Sequence, residues 1–150
     1  MPTFNPSSGT PHSTTPSLEQ YIEAIGDLLT RDKVCSVSEI ADQVQVSRPA
    51  ASRAVRELKD LGFVEHKAYG YVDLTAKGQS LADRLTARHE ALYDFFLNVL
   101  GYSADYADQE ACRLEHQVSD EFAERLGKLD AFIRENGPIA QRWQEYRAQS

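Results

Sequence analysis

Apolar residues recur at helical spacing after residue 16, and this pattern predicts a first helix. Ser17 is a favourable N-cap, and Gln20 occupies the capping-box position three residues later. The predicted apolar stripe consists of Tyr21, Ile25, Leu28 and Leu29. Gln20 and Glu23 lie off that stripe, as the residues of a solvated helical face usually do. Residues 1–16 are rich in Pro, Ser and Thr and predict a disordered tail.

Two further helices joined by a tight turn are predicted next. Ser36 and Glu39 form a capping box at the start of the second helix. Ser47 caps the third helix, which has Pro49 in its first turn and ends at Gly62. The inward face of the third helix consists of Ala51, Ala54, Val55, Leu58 and Leu61. Its polar, basic outward face consists of Arg48, Ser52, Arg53, Arg56 and Lys59. This arrangement is typical of a helix-turn-helix.

A short hairpin is predicted after the third helix. Residues 63–66 and 71–74 alternate between apolar and polar, with Gly70 at the turn and Lys67 predicted at the tip. A hairpin at this place is the wing of a winged helix. A basic helical face alone indicates only a solvated surface, but the turn, the wing and Lys67 together predict binding of double-stranded DNA. The residues predicted to contact DNA are Ser47, Arg48, Pro49, Ser52, Arg53, Arg56 and Lys67.

The rest of the chain predicts helices only. Thr75 caps a long fourth helix that extends to about residue 100, and its late residues are too apolar for a winged helix to cover. This surface predicts packing against further helices and against a second subunit, in a homodimer. A fifth helix is predicted from about Ser103 through His116, and a sixth begins at Ser119. A last helix follows a break at residues 136–138.

Composition narrows the class of protein. The chain has 150 residues, two cysteines and a net charge of −7. It contains no apolar run long enough to cross a bilayer and no signal-peptide pattern, so reduced cysteines and a cytoplasmic protein are expected. Residues 47–88 hold eight Lys/Arg against five Asp/Glu, whereas residues 89–135 hold four against eleven. This asymmetry predicts one part that binds polyanions and another that binds cations.

One short segment brings three metal-binding side-chain types together. Cys112 lies three residues before Glu115 and four before His116, so a thiolate, a carboxylate and an imidazole share one helical face. Such a face is a partial metal site that lacks ligands from elsewhere. For this segment alone, the alternative is a core thiol with two solvated neighbours. The candidate donors elsewhere in the chain are Glu23, His89 and, more weakly, Gln20.

Residues 110–116 (EACRLEH), 118–121 (VSDE), 17–25 (SLEQYIEAI) and 86–90 (TARHE) form four separated motifs. Together they resemble the diphtheria toxin repressor and manganese transport regulator family of metal-dependent repressors, over about residues 17–135. The first two motifs resemble the metal-site helix of the iron-responsive branch. The third resembles the first helix of the manganese-responsive branch, which carries two ligands, and the fourth resembles the stretch that supplies a histidine ligand.

The resemblance implies a set of metal ligands. Those carried over are Glu23, His89, Cys112, Glu115 and His116. Gln20 stands where the family has Asp or Met, so its neutral carbonyl oxygen is a weaker ligand or none. Tyr93 and Asp108 stand where the iron branch has ligands of an ancillary second site, which puts that site in doubt. The chain resembles the short two-domain form of the family, without the SH3-like third domain.

The predicted fold is mainly α, with an N-terminal winged helix-turn-helix followed by an all-helical dimerisation and metal-binding domain. The expected boundaries are residues 1–16 for the tail, 17–75 for the DNA-binding domain and 76–150 for the second domain. The predicted function is metal-activated repression of metal homeostasis genes by a homodimer on an inverted-repeat operator. Metal shared between Glu23 and the second domain is expected to fix the angle between the domains. Two recognition helices would then face successive major grooves about 34 Å apart.

The expected metal is Fe(II), because Cys112 stands where the manganese branch has a carboxylate and a thiolate favours softer ions. Glu23 resembles the manganese branch, so Mn(II) is the alternative, and Co(II), Ni(II) or Zn(II) are expected to substitute in vitro. A different class of function is a winged-helix regulator that senses an organic ligand, or thiol oxidation at Cys112 or Cys35. A hydrolytic metalloenzyme is disfavoured because no spare base accompanies the ligands.

Overall fold

The computed structural model describes residues 16–149. The chain forms two compact units, and the boundary between them falls inside one long helix. The first unit ends at Leu85 and the second begins at Thr86. The elements in chain order are α1 (Pro16–Asp32), α2 (Val37–Val44), α3 (Arg48–Asp60), β1 (Val64–His66), β2 (Val72–Leu74), α4 (Ala76–Asp94), α5 (Ala104–Leu114), α6 (Asp120–Glu135) and α7 (Gly137–Arg147). The predicted mainly α fold with a winged helix-turn-helix is therefore confirmed. The predicted tail lies outside the described residues, except for Pro16.

Helix α1 begins one residue earlier than predicted. Pro16 is its first residue, so Ser17 lies inside the first turn and is not the N-cap. Proline suits this position because its fixed φ is helical and the first N–H groups of a helix have no intrahelical partner. The predicted apolar stripe is confirmed, with Ile25 and Leu28 fully buried. Gln20 is exposed on the same helix.

Side-chain caps define the helix-turn-helix as predicted. Ser36 Oγ accepts a hydrogen bond from the Glu39 N–H at 3.3 Å, and Glu39 Oε2 accepts one from the Ser36 N–H at 2.8 Å. Hydrogen bonds from Ser36 hold the pKa of Glu39 below its usual range. Helix α2 ends at Gln45, whose φ of 60° turns the chain. Ser47 Oγ then caps α3 by accepting a bond from the Ala50 N–H at 3.3 Å.

The wing is a two-stranded antiparallel hairpin, shorter than predicted by one residue in each strand. Its register places Glu65 opposite Asp73. The wing is joined to the helix-turn-helix because the Val72 N–H donates to the Cys35 carbonyl at 2.7 Å. Cys35 is fully buried, and burial raises the pKa of its thiol to about 12. The thiol is therefore protonated at neutral pH, which disfavours the predicted alternative of oxidation at Cys35.

The core of the first unit is built from one face of each of four helices together with the wing. Its large, fully buried aliphatic side chains are Ile22, Ile25, Leu28, Ile40, Val55, Leu58, Val72, Leu81 and Leu85. Each such side chain stabilises the fold by about 1.5–3 kcal/mol relative to an exposed one. Because Leu81 and Leu85 come from α4, the first half of that helix belongs to the first unit.

The first turn of α4 lies directly on the backbone that follows α3. Thr75 Oγ1 accepts a bond from the Gly78 N–H at 3.1 Å and donates to the Gly62 carbonyl at 2.7 Å. Thr75 thus caps α4, as predicted, and also joins it to the end of α3. A Cβ atom at Gly78 would lie only 2.0 Å from the Phe63 carbonyl oxygen. This close approach requires glycine at position 78.

Replacing Gly78 by alanine is expected to lower the free energy of unfolding by about 1–3 kcal/mol, because the new methyl group must displace backbone. The matched control is Gly127→Ala on α6, where the nearest atom to the new Cβ, Ala91 Cβ, lies at 3.9 Å. That control should be neutral or stabilising by up to about 1 kcal/mol, since alanine favours a helix. Urea denaturation of both variants measures the difference, and equal stability of the two would contradict the packing described.

The second unit covers the late apolar face of α4 with its own helices. Leu92 and Val99 are buried, which agrees with the predicted packing against further helices, whereas Phe95, Phe96 and Leu100 are half-buried. Helices α5 and α6 pack against the end of that helix and supply the cover. Large exposed apolar side chains lie instead on α6 and α7. They are Phe122, Leu129, Phe132, Ile139 and Tyr146.

The long fourth helix extends to Leu100 as predicted, but its last segment, Phe95–Leu100, is a π-helical turn. Gly101 ends it with a φ of 70°. A wider turn displaces backbone groups from their ordinary partners. Here the Val99 carbonyl accepts a 2.6 Å hydrogen bond from Trp143 Nε1, and this contact attaches α7 to the end of the helix.

Candidate metal centre and DNA-binding surface

Three of the predicted ligands converge in the second unit. His89 lies on α4, Cys112 lies in the last turn of α5, and Glu115 is the C-cap residue of α5. One donor atom from each lies within 4.8 Å of the other two. His89 Nδ1 is 2.8 Å from Glu115 Oε2 and 3.8 Å from Cys112 Sγ. His89, which lies 23 and 26 positions before the other two residues, thus places a nitrogen beside a sulfur and an oxygen from the end of α5.

The chemistry of this donor set suits a divalent transition metal. Imidazole and thiolate ligands favour later first-row ions, and a carboxylate adds negative charge that a divalent cation offsets. The Glu115 side chain is only 4% exposed, and that of His89 is 26% exposed. Cys112 is exposed, so the cluster opens to solvent on its thiol side. The three residues therefore fit a metal ion both in type and in proximity.

His116 lies beside this cluster but not on the predicted helix. Helix α5 ends at Leu114, and His116 belongs to the turn that follows. The prediction that the helix continues through His116 is wrong because the chain turns toward the Ser119 cap of α6. His116 Nε2 nevertheless lies 3.4 Å from Glu115 Oε1, and the ring is 8% exposed. The two oxygens of Glu115 thus face two different imidazoles.

The second nitrogen of His89 faces the carboxylate of Asp108, which stands where the iron branch has a ligand of the ancillary site. His89 Nε2 is 3.2 Å from Asp108 Oδ1. Tyr93 stacks on the imidazole with ring centroids 6.3 Å apart. A cavity of about 350 Å³ adjoins this side of the ring and is lined by His89, Tyr93, Ala104, Asp105 and Asp108. Carboxylates behind metal-binding imidazoles orient the ring and fix its tautomer. Asp108 precedes Cys112 by four positions, so the two side chains share a face of α5. This spacing is the signal in the sequence that could have indicated a place for Asp108 beside the cluster.

The remaining predicted ligands belong to α1 of the first unit. Glu23 is half-buried there, and Gln20, three residues earlier, is exposed. Their participation in the metal centre stays a prediction.

The predicted DNA-binding face is present on α3. Arg48, Pro49, Arg53 and Arg56 are exposed and Ser52 is half-buried. The opposite face of this helix is buried in the core of the first unit. Ser47 is exposed, although its hydroxyl oxygen already caps the helix. The second helix of a helix-turn-helix lies in the major groove with its N-terminal residues toward the bases. Contact of these residues with DNA stays a prediction.

Lys67 does not occupy the tip of the wing as predicted. The tip is the 3₁₀ turn Ala68–Gly70, and Lys67 precedes it. Lys67 pairs with Glu65 on its own side of the hairpin, and its Nζ lies 3.7 Å from Asp73 Oδ2 on the opposite strand. These two carboxylates offset its charge. Its pairing with Glu65 raises the pKa of the Lys67 ammonium. The residue at the tip is Tyr69, which is 98% exposed and has a φ of 62°.

Two profiles of one protein family match almost the whole of the described chain. "Iron dependent repressor, N-terminal DNA binding domain" matches residues 13–72, and "Iron dependent repressor, metal binding and dimerisation domain" matches residues 75–143. The chain belongs to this repressor family. It is a metal-dependent, DNA-binding transcriptional repressor and not an enzyme. The cluster of His89, Cys112 and Glu115 lies in the part that matches the metal-binding and dimerisation domain.

Relatives of this repressor include regulators named for manganese. The HTH-type transcriptional regulator MntR of Shouchella clausii is 31% identical over 122 residues, which cover 81% of this chain and 85% of that protein. The regulator of the same name from Lysinibacillus sphaericus is 30% identical over 135 residues, covering 90% of this chain and 96% of that protein.

Solved structures agree with the fold. That of the manganese regulator SloR has 40% identity and a TM-score of 0.67, covering 77% of this chain and 54% of its own. That of the metal-dependent transcriptional regulator MtsR has 30% identity and a TM-score of 0.71, covering 79% and 55%. This repressor thus spans about half the length of these two solved chains.

The family assignment also identifies the partners of this chain as DNA and a second copy of itself. The exposed apolar residues of α6 and α7 fall within or beside the part that matches a dimerisation domain, and the repressor is a DNA-binding homodimer, as predicted. Among the described residues, no helix combines the length and the apolar character needed to cross a membrane.

Proposed function

We propose that divalent metal activates operator binding by this repressor through the cluster of His89, Cys112 and Glu115, and that Fe(II) is the physiological co-repressor. The observation that carries the proposal is the convergence of three different donor atoms within 4.8 Å. Genes of metal homeostasis are the expected targets, and the protein is expected to act in the cytoplasm.

Each residue of the cluster has a separate task in this proposal. A bound divalent ion would offset the negative charge of the thiolate and the carboxylate and so would hold the donor atoms together. Glu115 is buried, and its two oxygens lie beside the His89 and His116 rings, so it offers an oxygen donor that is shielded from solvent. Asp108 orients the His89 ring from behind. Cys112 supplies a thiolate from the solvent side. Glu23 and, more weakly, Gln20 are proposed as additional oxygen donors from the DNA-binding unit, which would make operator affinity depend on the metal.

The proposal of Fe(II) rests on Cys112. A site made only of oxygen and nitrogen donors suits Mn(II), whereas a thiolate moves the preference toward softer, later ions. Zn(II) and Cu(II) bind more tightly than Fe(II) in most such sites, so metal availability contributes to the choice in a cell. Co(II), Ni(II) or Zn(II) are expected to activate the repressor in vitro.

Mn(II) is the second candidate, and the relatives favour it. The MntR proteins and SloR are named as manganese regulators, at 30–40% identity over most of this chain. The proposed Glu23 ligand is a hard oxygen donor and agrees with this candidate.

The experiment that separates the candidates is operator binding by chelated protein to which single metals are added back anaerobically. Fe(II) is expected to restore binding at lower free concentration than Mn(II). Full activation by low-micromolar Mn(II), with none from Fe(II), would establish the second candidate. DNA binding unaffected by chelator and by every metal would contradict both and favour an organic effector or thiol oxidation.

The DNA-binding face leads to a separate prediction. Arg53→Ala should weaken binding to the operator by about 1–3 kcal/mol, with little effect on random DNA, if this exposed side chain reads a base edge. Lys67→Ala is the matched control. Because Glu65 and Asp73 offset its charge, it should affect all sequences alike and lower the salt slope by at most about one. Titrations at several salt concentrations measure both effects, and identical behaviour of the two variants would exclude the proposed docking.

A further inference from the structure

A buried arginine next to His89 connects three helices of the second unit. Arg88 lies on α4 and is only 4% exposed. Its Nε donates a 2.6 Å hydrogen bond to Oδ1 of Asp120, the first residue of α6. Its Nη1 donates a longer bond of 3.4 Å to the carbonyl oxygen of Glu115, the C-cap of α5. One guanidinium therefore contacts both ends of the connection between α5 and α6.

That connection, residues 115–119, carries two of the metal ligands that the sequence predicts. Glu115 stands at its start, and His116 follows immediately. At its far end, Ser119 Oγ accepts a 3.1 Å bond from the Phe122 N–H and so fixes the beginning of α6. Arg88 holds the Glu115 backbone while His89, its neighbour on α4, contacts the Glu115 side chain. The orientation of Glu115 is thus determined from two sides by consecutive residues of one helix.

We propose that Arg88, through Asp120 and the Glu115 carbonyl, is a positioning residue for the metal centre. It holds the α5–α6 connection in the conformation in which Glu115 faces His89. The inference rests on the proposed function of this cluster. The two Arg88 bonds described above go to the Glu115 main-chain oxygen and to the Asp120 carboxylate, neither of which is a donor atom of the proposed site.

The choice of arginine supports a positioning role over simple filling of space. Removing a guanidinium from water is costly, and a well-packed apolar side chain at a buried position is often at least as stabilising. Arginine is preferred where one planar group must donate in two fixed directions, and lysine cannot reproduce that geometry. The Glu115 carbonyl and the Asp120 carboxylate both accept from Arg88 and lie on different elements, at the two ends of the connection. This arrangement uses the two-directional geometry of arginine.

The test uses full-length protein and Co(II) as the probe. Arg88→Lys keeps the charge but loses the two-directional contact. Asp120→Asn removes the charge of a side chain that is 41% exposed, and so is the variant that should fold in any case. Arg125→Lys is the matched control, because Arg125 pairs with Glu121 on the exposed surface of α6. Metal affinity is measured by competition with a chelator, and the Co(II) absorption spectrum is recorded anaerobically.

Both Arg88→Lys and Asp120→Asn should weaken Co(II) binding by about 10–100-fold, the usual effect of residues that support metal ligands. The ligand-field bands should change, because Glu115 is displaced, while the thiolate-to-cobalt charge-transfer band persists, because Cys112 is held by α5. Arg125→Lys should match the unaltered protein in affinity and spectrum.

Wild-type affinity and spectrum in Arg88→Lys and Asp120→Asn would overturn the positioning role. So would weaker binding with an unchanged spectrum and a matching loss of metal-free stability, because that result indicates a merely structural role. If the unaltered protein binds Co(II) without a thiolate band, the proposed metal centre fails as well. The spectrum of the unaltered protein therefore distinguishes failure of the proposed function from failure of this inference alone.

Discussion

Cys112→Ala is expected to abolish metal-activated operator binding while leaving the metal-free fold unchanged. The side chain is exposed, so its truncation removes little packing. Its Sγ lies 3.8 Å from His89 Nδ1, and its loss takes one of three converging donors from the cluster. Mutation of a residue that only supports a ligand lowers metal affinity by about 10–100-fold. Loss of the ligand itself should therefore lower the affinity by more than about 100-fold. Metal titration and operator binding of the variant, beside thermal unfolding without metal, give the measurement.

The second cysteine is the matched control for that variant. Cys35 is fully buried in the first unit and has a thiol pKa of about 12, so Cys35→Ala should retain the metal response. In the unaltered protein, alkylation should label Cys112 and not Cys35, and bound metal should protect Cys112. Retention of metal-dependent repression in Cys112→Ala would remove the thiolate from the proposed site.

Cys112→Glu is expected to exchange the metal response from Fe(II) to Mn(II). The substitution replaces the soft donor with a second carboxylate beside Glu115, and an all-oxygen and nitrogen set favours the harder ion. The variant should need more Fe(II) and less Mn(II) for half-maximal operator binding than the unaltered protein. Anaerobic titrations of both proteins with each metal provide the comparison.

The Cys112→Glu substitution tests the donor at position 112 alone, because it leaves His89 and Glu115 unchanged. Cys112→Ser is the matched control, since it removes sulfur without adding a carboxylate and should weaken the response to both metals. An unchanged order of preference in Cys112→Glu would mean that thiolate softness does not select the ion.

The parts of the fold that sequence predicted are those fixed by local contacts. The capping box of Ser36 and Glu39, the Ser47 cap and the left-handed Gly62 just after the C-cap of α3 involve residues a few positions apart. The closeness of Cys112 and Glu115 follows from helical spacing in the same way. Placing His89 beside them required the family resemblance, because no periodic pattern relates it to Glu115 across 26 positions.

The features that sequence did not predict depend on contacts between distant segments. The end of α5 at Leu114 and the π-helical turn before Gly101 reflect how neighbouring helices pack. The contact of Arg88 with Asp120 spans 32 positions, and nothing in the local pattern distinguishes Arg88 from other helical arginines. The charge of Lys67 is visible in the sequence, whereas the closeness of its cross-strand acidic neighbour, Asp73, depends on the register of the wing.

The hydrogen bond from Trp143 to the Val99 carbonyl has an optical consequence. Trp143 is the only tryptophan in the sequence, and it lies in the second unit. Its indole emission therefore reports the environment of that unit alone, whereas far-ultraviolet circular dichroism averages over all the helices. Denaturation followed by the two signals together should show whether the metal-binding unit melts with the winged helix or separately from it. The native chain thus carries an intrinsic fluorophore that makes labelling unnecessary for this purpose.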